Sequence, residues 1–153
     1  IERADKILEE TLGYSVKGYP IDEVKAPAKY FVVRKNEYED SIPIPFDERE
    51  KEMFGLLAFV LFIIYYNSKA KTTFDFIKTT LTSSNLMDSV CGVGGLPAIL
   101  KIWVLQEYLI EERAEAQSDY VYRFGPRFEL EIGIESLKSM ITEIQRMPVK
   151  ASQ

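Results

Sequence analysis

Seven residues in the middle of the chain, CGVGGLP (91–97), set a thiol and three glycines directly ahead of a helical pattern. Glycines before a helix are what a phosphate loop uses, and a thiol in that place is what an activated nucleophile uses. Neither chemistry is assembled. The spacing fits neither GxGxxG nor GxxxxGK[ST], no lysine follows at the needed place, and Cys91 has no histidine anywhere in the chain to activate it. Zero histidines also remove the commonest general base and metal ligand, and one cysteine cannot build a structural zinc site. The acidic pairs Glu9-Glu10 and Glu111-Glu112 are sequence neighbours, which do not face each other on a helix, so they read as solvated charge. The expectation is a protein without catalytic residues, cofactor or metal. What remains is recognition: Lys69, Lys71 and Lys78 surround a turn between two predicted helices, with Lys101 beyond them. Lysines so placed either form ordinary solvated surface or touch phosphates without reading bases. A formal charge of -5 confines any nucleic-acid contact to such a local patch.

Those side chains need elements to hold them. At 46% hydrophobic and 28% charged, 153 residues suit a folded chain of one compact domain or two very small ones. IERADKILEETLGY repeats apolar residues at helical spacing and then meets Gly13, which predicts a helix ending near Leu12. YSVKGY and KYFVVRK, with Pro20 and Pro27 between them, predict two strands of a small ribbon. Acidic, proline-bearing NEYEDSIPIPFDERE has no period and reads as a linker. After it come a predicted helix over 48–66, a second over 73–82 that Thr72 or Thr73 could cap, and a third over 97–109 opened by Pro97. The longest apolar run, FGLLAFVLFIIYY, is too short to span a bilayer and predicts a buried core helix. IEERAEAQSDYVYRF offers a hairpin around Gln117–Asp119, and an amphipathic helix closes the chain from about Pro126 to Arg146.

The predicted fold class is therefore α+β, mostly helical: two winged helices in tandem, the first incomplete at its N-terminus. Its boundaries are 1–36 for the back half of the first winged helix, 37–47 for the linker, 48–146 for the second winged helix with its closing helix, and 147–153 for a tail. Ile1 enters mid-pattern with no secretory signal, which points to further residues upstream, and a single cysteine suits a reducing compartment such as cytosol or nucleus.

Arg127 poses a question of its own. Gly125 permits a sharp turn and Pro126 sets the first helical φ, so the arginine falls in a first turn where the helix dipole disfavours a cation. It needs a carboxylate, and Glu129, Glu131 or the acidic linker could supply one and lock wing to helix; a direct phosphate contact is the other reading.

The stretch YVYRFGPRFELE resembles the closing signature of the MAGE (melanoma antigen) homology domain, where an aromatic-rich strand runs into Gly-Pro-Arg and a final helix. LEETLGYSVKGYP is similar to that family's helix-to-strand passage, GLLAFVLFIIYYNSKA to the long helix opening its second winged helix, and KIWVLQEYL to that unit's third helix. These stretches are collinear and cover about Ala4 to Ile144, with Phe124 standing where tryptophan is usual and Leu12 where phenylalanine is common. The resemblance implies two packed winged helices and a nuclear, non-catalytic adaptor that binds RING-type ubiquitin ligases. In its presumed ancestral form this is a subunit of the structural-maintenance-of-chromosomes (SMC) five/six complex, beside a RING-type subunit and a kleisin, contributing to DNA binding. A hydrophobic groove for a kleisin helix then falls on the third helix, whose apolar residues cover more than one face; Leu100, Ile102 and Leu105 are its candidates. A MAGE adaptor redirecting a RING ligase is the second reading, and a winged-helix transcription factor the third. The third is disfavoured, because the reading helix offers little but Lys101 and Gln106 to a groove and the wing loop EAQSD is acidic.

Overall fold

The computed structural model describes residues 2–20, 29–34, 48–67, 70–91, 94–114 and 119–146. The predicted linker, 37–47, the predicted tail, 147–153, and Lys69 lie outside them.

Helix α1 (Glu2–Leu12) stops at Gly13, whose φ of +69° and N–H bond back to the Glu9 carbonyl form a left-handed stop that costs glycine little. Asp5 on this helix accepts the Val16 N–H at 2.6 Å and so ties α1 to β1 (Tyr14–Tyr19). Strand β1 pairs antiparallel with β2 (Lys29–Arg34), Tyr14 opposite Arg34 and Tyr19 opposite Lys29. Among the described residues of this unit Val33 alone is buried. The described residues of this unit thus supply little core of their own, and the ribbon depends on what it packs against.

The apolar run forms α2 (Glu48–Tyr66), with Val60, Leu61 and Ile64 fully buried in the core. No helix among the described residues is long and apolar enough to cross a membrane. The short strand β3 (Lys71–Thr73) leads into α3 (Phe74–Ser83), whose N-cap is Thr73: its hydroxyl oxygen accepts the Phe76 N–H at 3.3 Å, and Asp75 sits in the favourable first turn. A short helix α4 (Met87–Cys91) precedes α5 (Leu96–Leu105). Strands β4 (Leu109–Arg113) and β5 (Tyr120–Phe124) follow, then α6 (Pro126–Glu131) and α7 (Gly133–Arg146). The sheet is antiparallel in the order β3-β5-β4, with Tyr122 opposite both Thr72 and Glu111. Helices α2, α3 and α5 bury Leu61, Ile77, Leu81, Ile99 and Trp103 against one another, and Phe128 and Leu137 close the same core. The ribbon joins this body through β2, which packs on α6.

Four sequence expectations change. The third helix ends at Leu105 and not at 109: Glu107 takes φ +64°, Tyr108 N–H returns to the Trp103 carbonyl and Glu107 N–H to that of Val104, leaving Leu109 to open β4. This is a Schellman ending with a glutamate in the left-handed position. The closing helix is broken in two, because Gly133 takes φ +71° between α6 and α7. The stretch between α3 and α5 holds α4, and β3 adds a third strand to the hairpin.

Candidate protein-docking site

Four backbone and side-chain contacts fix the passage from β5 into α6. Gly125 N–H donates to the Tyr108 carbonyl at 2.8 Å and Arg127 N–H to that of Glu107 at 3.1 Å. The Arg127 Nε donates to Glu131 Oε1 at 2.8 Å, and Tyr108 Oη donates to Glu131 Oε2 at 2.7 Å. The guanidinium carbon lies 4.8 Å from the centre of the Tyr108 ring, close enough for a cation–π contact. Within the six-residue α6, an arginine stands at the positive end of the dipole and a glutamate at the negative end, each disfavoured alone. Pairing at i,i+4 lets each neutralise the other. Of the carboxylates considered from sequence, Glu131 pairs with Arg127, while most of the acidic linker lies outside the described residues; the role of the Tyr108 ring depends on the turn at Glu107 and carries no sequence signal.

Burial, the hydrogen bond to Glu131 and that carboxylate's charge together push the Tyr108 hydroxyl up to about 12. An unfolded tyrosine titrates near 10, so the folded state holds this proton longer. Its contribution is whole below pH 10 and is lost as pH rises from about 10 to about 12. After solvent screening of a half-buried group is allowed for, a loss of about 1 kcal/mol is expected over that interval. Denaturant unfolding at stepped pH measures it. A Tyr108→Phe variant should lack this part of the alkaline decline, and an identical decline in both would show that the Tyr108–Glu131 bond is not formed.

Beside this lock runs a groove of about 440 Å³ between the first half of α2 and α5. Met53, Phe54, Leu57, Ile102 and Trp103 give it apolar walls, and Arg49, Glu50, Gln106, Tyr108 and Arg127 complete its rim. The α5 spacing separates its faces. Leu96, Ile99, Leu100 and Trp103 recur at i, i+3, i+4 and i+7 toward the core, while Ile102 and Leu105 stand away from it, 38% and 74% exposed. Leu100, 1% exposed, is therefore a core residue and cannot touch a partner, which corrects its place among the groove candidates. Ile102 lines the groove and Leu105 lies one turn along the same exposed strip, with Phe54 half-exposed on the opposite wall. Met53, Phe54 and Trp103 were not singled out from sequence, because a helix apolar nearly all round does not announce which residues stay outside.

Of the four lysine candidates, Lys69 lies outside the described residues and Lys71 is held in an ion pair. Lys71 Nζ donates to Glu112 at 3.1 Å, and Arg123 occupies the other oxygen. Arg123 first and Lys71 second hold the Glu112 carboxyl below its usual range. Lys78 on α3 and Lys101 on α5 are exposed and have no ion-pair partner among the described residues. Among those residues no three metal-ligating side chains come together.

No family model and no curated protein sequence matches the chain. Among solved structures it superimposes on a chain of an "Nse1-Nse3-Nse4 complex" with a TM-score of 0.73 and 20% sequence identity, over 96% of this chain and 70% of that one. The protein has the fold of a subunit of that complex.

Proposed function

We propose that this protein is a non-catalytic, MAGE-type scaffold subunit of an SMC five/six-type chromosome-maintenance complex. It is nuclear, works in DNA repair and recombination, and binds a RING-type subunit and a kleisin. The match over 96% of the chain carries the reading, since the solved structure is of an assembly of three named components and the sequence stretches resembling a MAGE domain point to the same complex. In this reading α2, α3 and α5 with the three-stranded sheet are the second winged helix, and α1 with the β1–β2 ribbon is what remains of the first. A kleisin helix lies along α5, seating apolar residues between Phe54 and Ile102 and covering Leu105. Duplex DNA is met through backbone phosphates at Lys78 and Lys101, without base reading.

Co-expression with candidate RING and kleisin chains, followed by size-exclusion, tests this. Ile102→Glu combined with Leu105→Glu places two charges in the apolar contact and should weaken kleisin association at least tenfold, roughly, with the chain still folded. Undiminished co-elution of the kleisin would remove the groove assignment. Lys78→Glu with Lys101→Glu should leave assembly intact while lowering affinity for duplex DNA and flattening its salt dependence. Recovery of a ubiquitin ligase and its substrates in place of kleisin and chromosome ATPases would favour the adaptor reading instead.

A further inference from the structure

We infer that the Glu107–Tyr108 turn couples the seating of the β1–β2 ribbon to the shape of the groove between α2 and α5, so that the ribbon regulates what the groove can hold. The second half of this inference rests on the groove being a docking site; the first half does not.

One side of the turn faces the ribbon. Across a cavity of about 320 Å³, Tyr19 and Lys29 of the ribbon oppose Glu107, Glu111, Leu109 and Pro126. Lys29 Nζ donates to the Glu107 carboxylate, and burial first and the nearby Glu129 charge second push the Tyr19 hydroxyl's pKa up. Among the ribbon's described residues Val33 is the buried side chain, and these polar contacts add to the packing of β2 on α6 in seating it. The lysine of the ion pair is 59% exposed, so the pair contributes little by itself and can open at low cost.

The other side of the turn faces the groove, where Tyr108 and Arg127 form part of the rim. Slack between the two sides is small. The Glu107 carbonyl accepts the Arg127 N–H, the Tyr108 carbonyl accepts the Gly125 N–H, and even a methyl group on Gly125 would come within 2.2 Å of the Glu107 oxygen. A displacement of Glu107 must therefore carry Tyr108 and Arg127 with it.

The identity of residue 107 is the third observation. A helix stop at φ +64° favours glycine or asparagine, and glutamate there holds its backbone in a strained, left-handed conformation. Glycine would relieve that strain and would also delete the carboxylate that Lys29 uses. With the ribbon seated, the ion pair helps to hold the turn in its left-handed form. With the ribbon released, Glu107 keeps the strain without that counter-charge, and relaxation of the turn moves Tyr108 and Arg127 at the groove's rim. A partner seated against Tyr108 and Arg127 binds the seated form better and, by linkage, holds the ribbon down.

Trp103 reports on the groove without any ligand, being the chain's single tryptophan, 3% exposed and part of the groove wall. In the whole chain, Lys29→Glu should speed amide hydrogen exchange over 14–19 and 29–34 and at the same time shift Trp103 fluorescence. The exchanged pair, Lys29→Glu with Glu107→Lys, should restore both. Lys138→Glu, which breaks the Lys138–Glu135 pair on α7, should change neither. Faster ribbon exchange with an unaltered Trp103 signal overturns the coupling, and so does unaltered exchange. With a kleisin chain as the probe, Lys29→Glu should weaken binding about fivefold and the exchanged pair should recover it. Should the wild-type chain bind no kleisin, the docking reading fails by itself, while the coupling still stands or falls on Trp103.

Discussion

Phe128→Ala is expected to destabilise the protein by about 4 kcal/mol and to lower Tm by about 10 °C. The ring is 0% exposed and stacks on Phe124 at a centroid distance of 4.2 Å and an interplanar angle of 18°. Phe124 ends β5 and Phe128 lies on α6, so the stacked pair joins the sheet to the closing helices. Removing one ring deletes its transfer free energy and leaves a void between elements whose backbones are already tied by Gly125 and Arg127, which limits collapse into the gap. Phe76→Ala, at a ring half-exposed on α3, removes the same atoms and should cost under about 1 kcal/mol. Thermal and denaturant unfolding of the two variants gives the comparison. A Phe128→Ala cost no larger than that of Phe76→Ala would mean that the closing helices are not packed on the sheet as described.

How much of this could be read in advance depended on whether a residue's chemistry matched its conformation. Asn85 ends α3 at φ +56° and Gly13 ends α1 at φ +69°; both are residue types that tolerate the left-handed region, and both helices end close to where the periodicity predicted. Glu107 takes the same conformation with a side chain that gives no such signal, so the expected helix ran on to 109 and placed Tyr108 on it. Gly133 failed for the opposite reason. It is a proper stop signal, but Leu130, Leu137 and Ile141 keep helical spacing across it and hid the break. On α5, read from sequence as apolar on more than one face, Leu100 falls on the core side, because choosing between two apolar faces needs the position of α2 and α3. Such positions are set by tertiary packing and not by local pattern.

Gly125→Ala is expected to cost about 3 kcal/mol, for a reason unrelated to backbone freedom. At φ −94° and ψ 167° the residue is extended, and alanine adopts that conformation readily. The obstacle is space: an added Cβ would sit 2.2 Å from the Glu107 carbonyl oxygen and 2.8 Å from the Glu107 and Tyr108 carbonyl carbons. These are backbone atoms, held by the Gly125 and Arg127 N–H groups, so no side chain can swing aside to admit the methyl group. Gly133→Ala is the informative companion. There φ is +71° with nothing within 4 Å of the added Cβ, so only conformational strain of about 1 kcal/mol should appear. The two variants add the same methyl group, and their unfolding free energies should differ by roughly 2 kcal/mol in the stated order. Equal costs would show that β5 does not approach the end of α5 this closely, and the wing-to-helix lock and its link to the groove would both have to be abandoned.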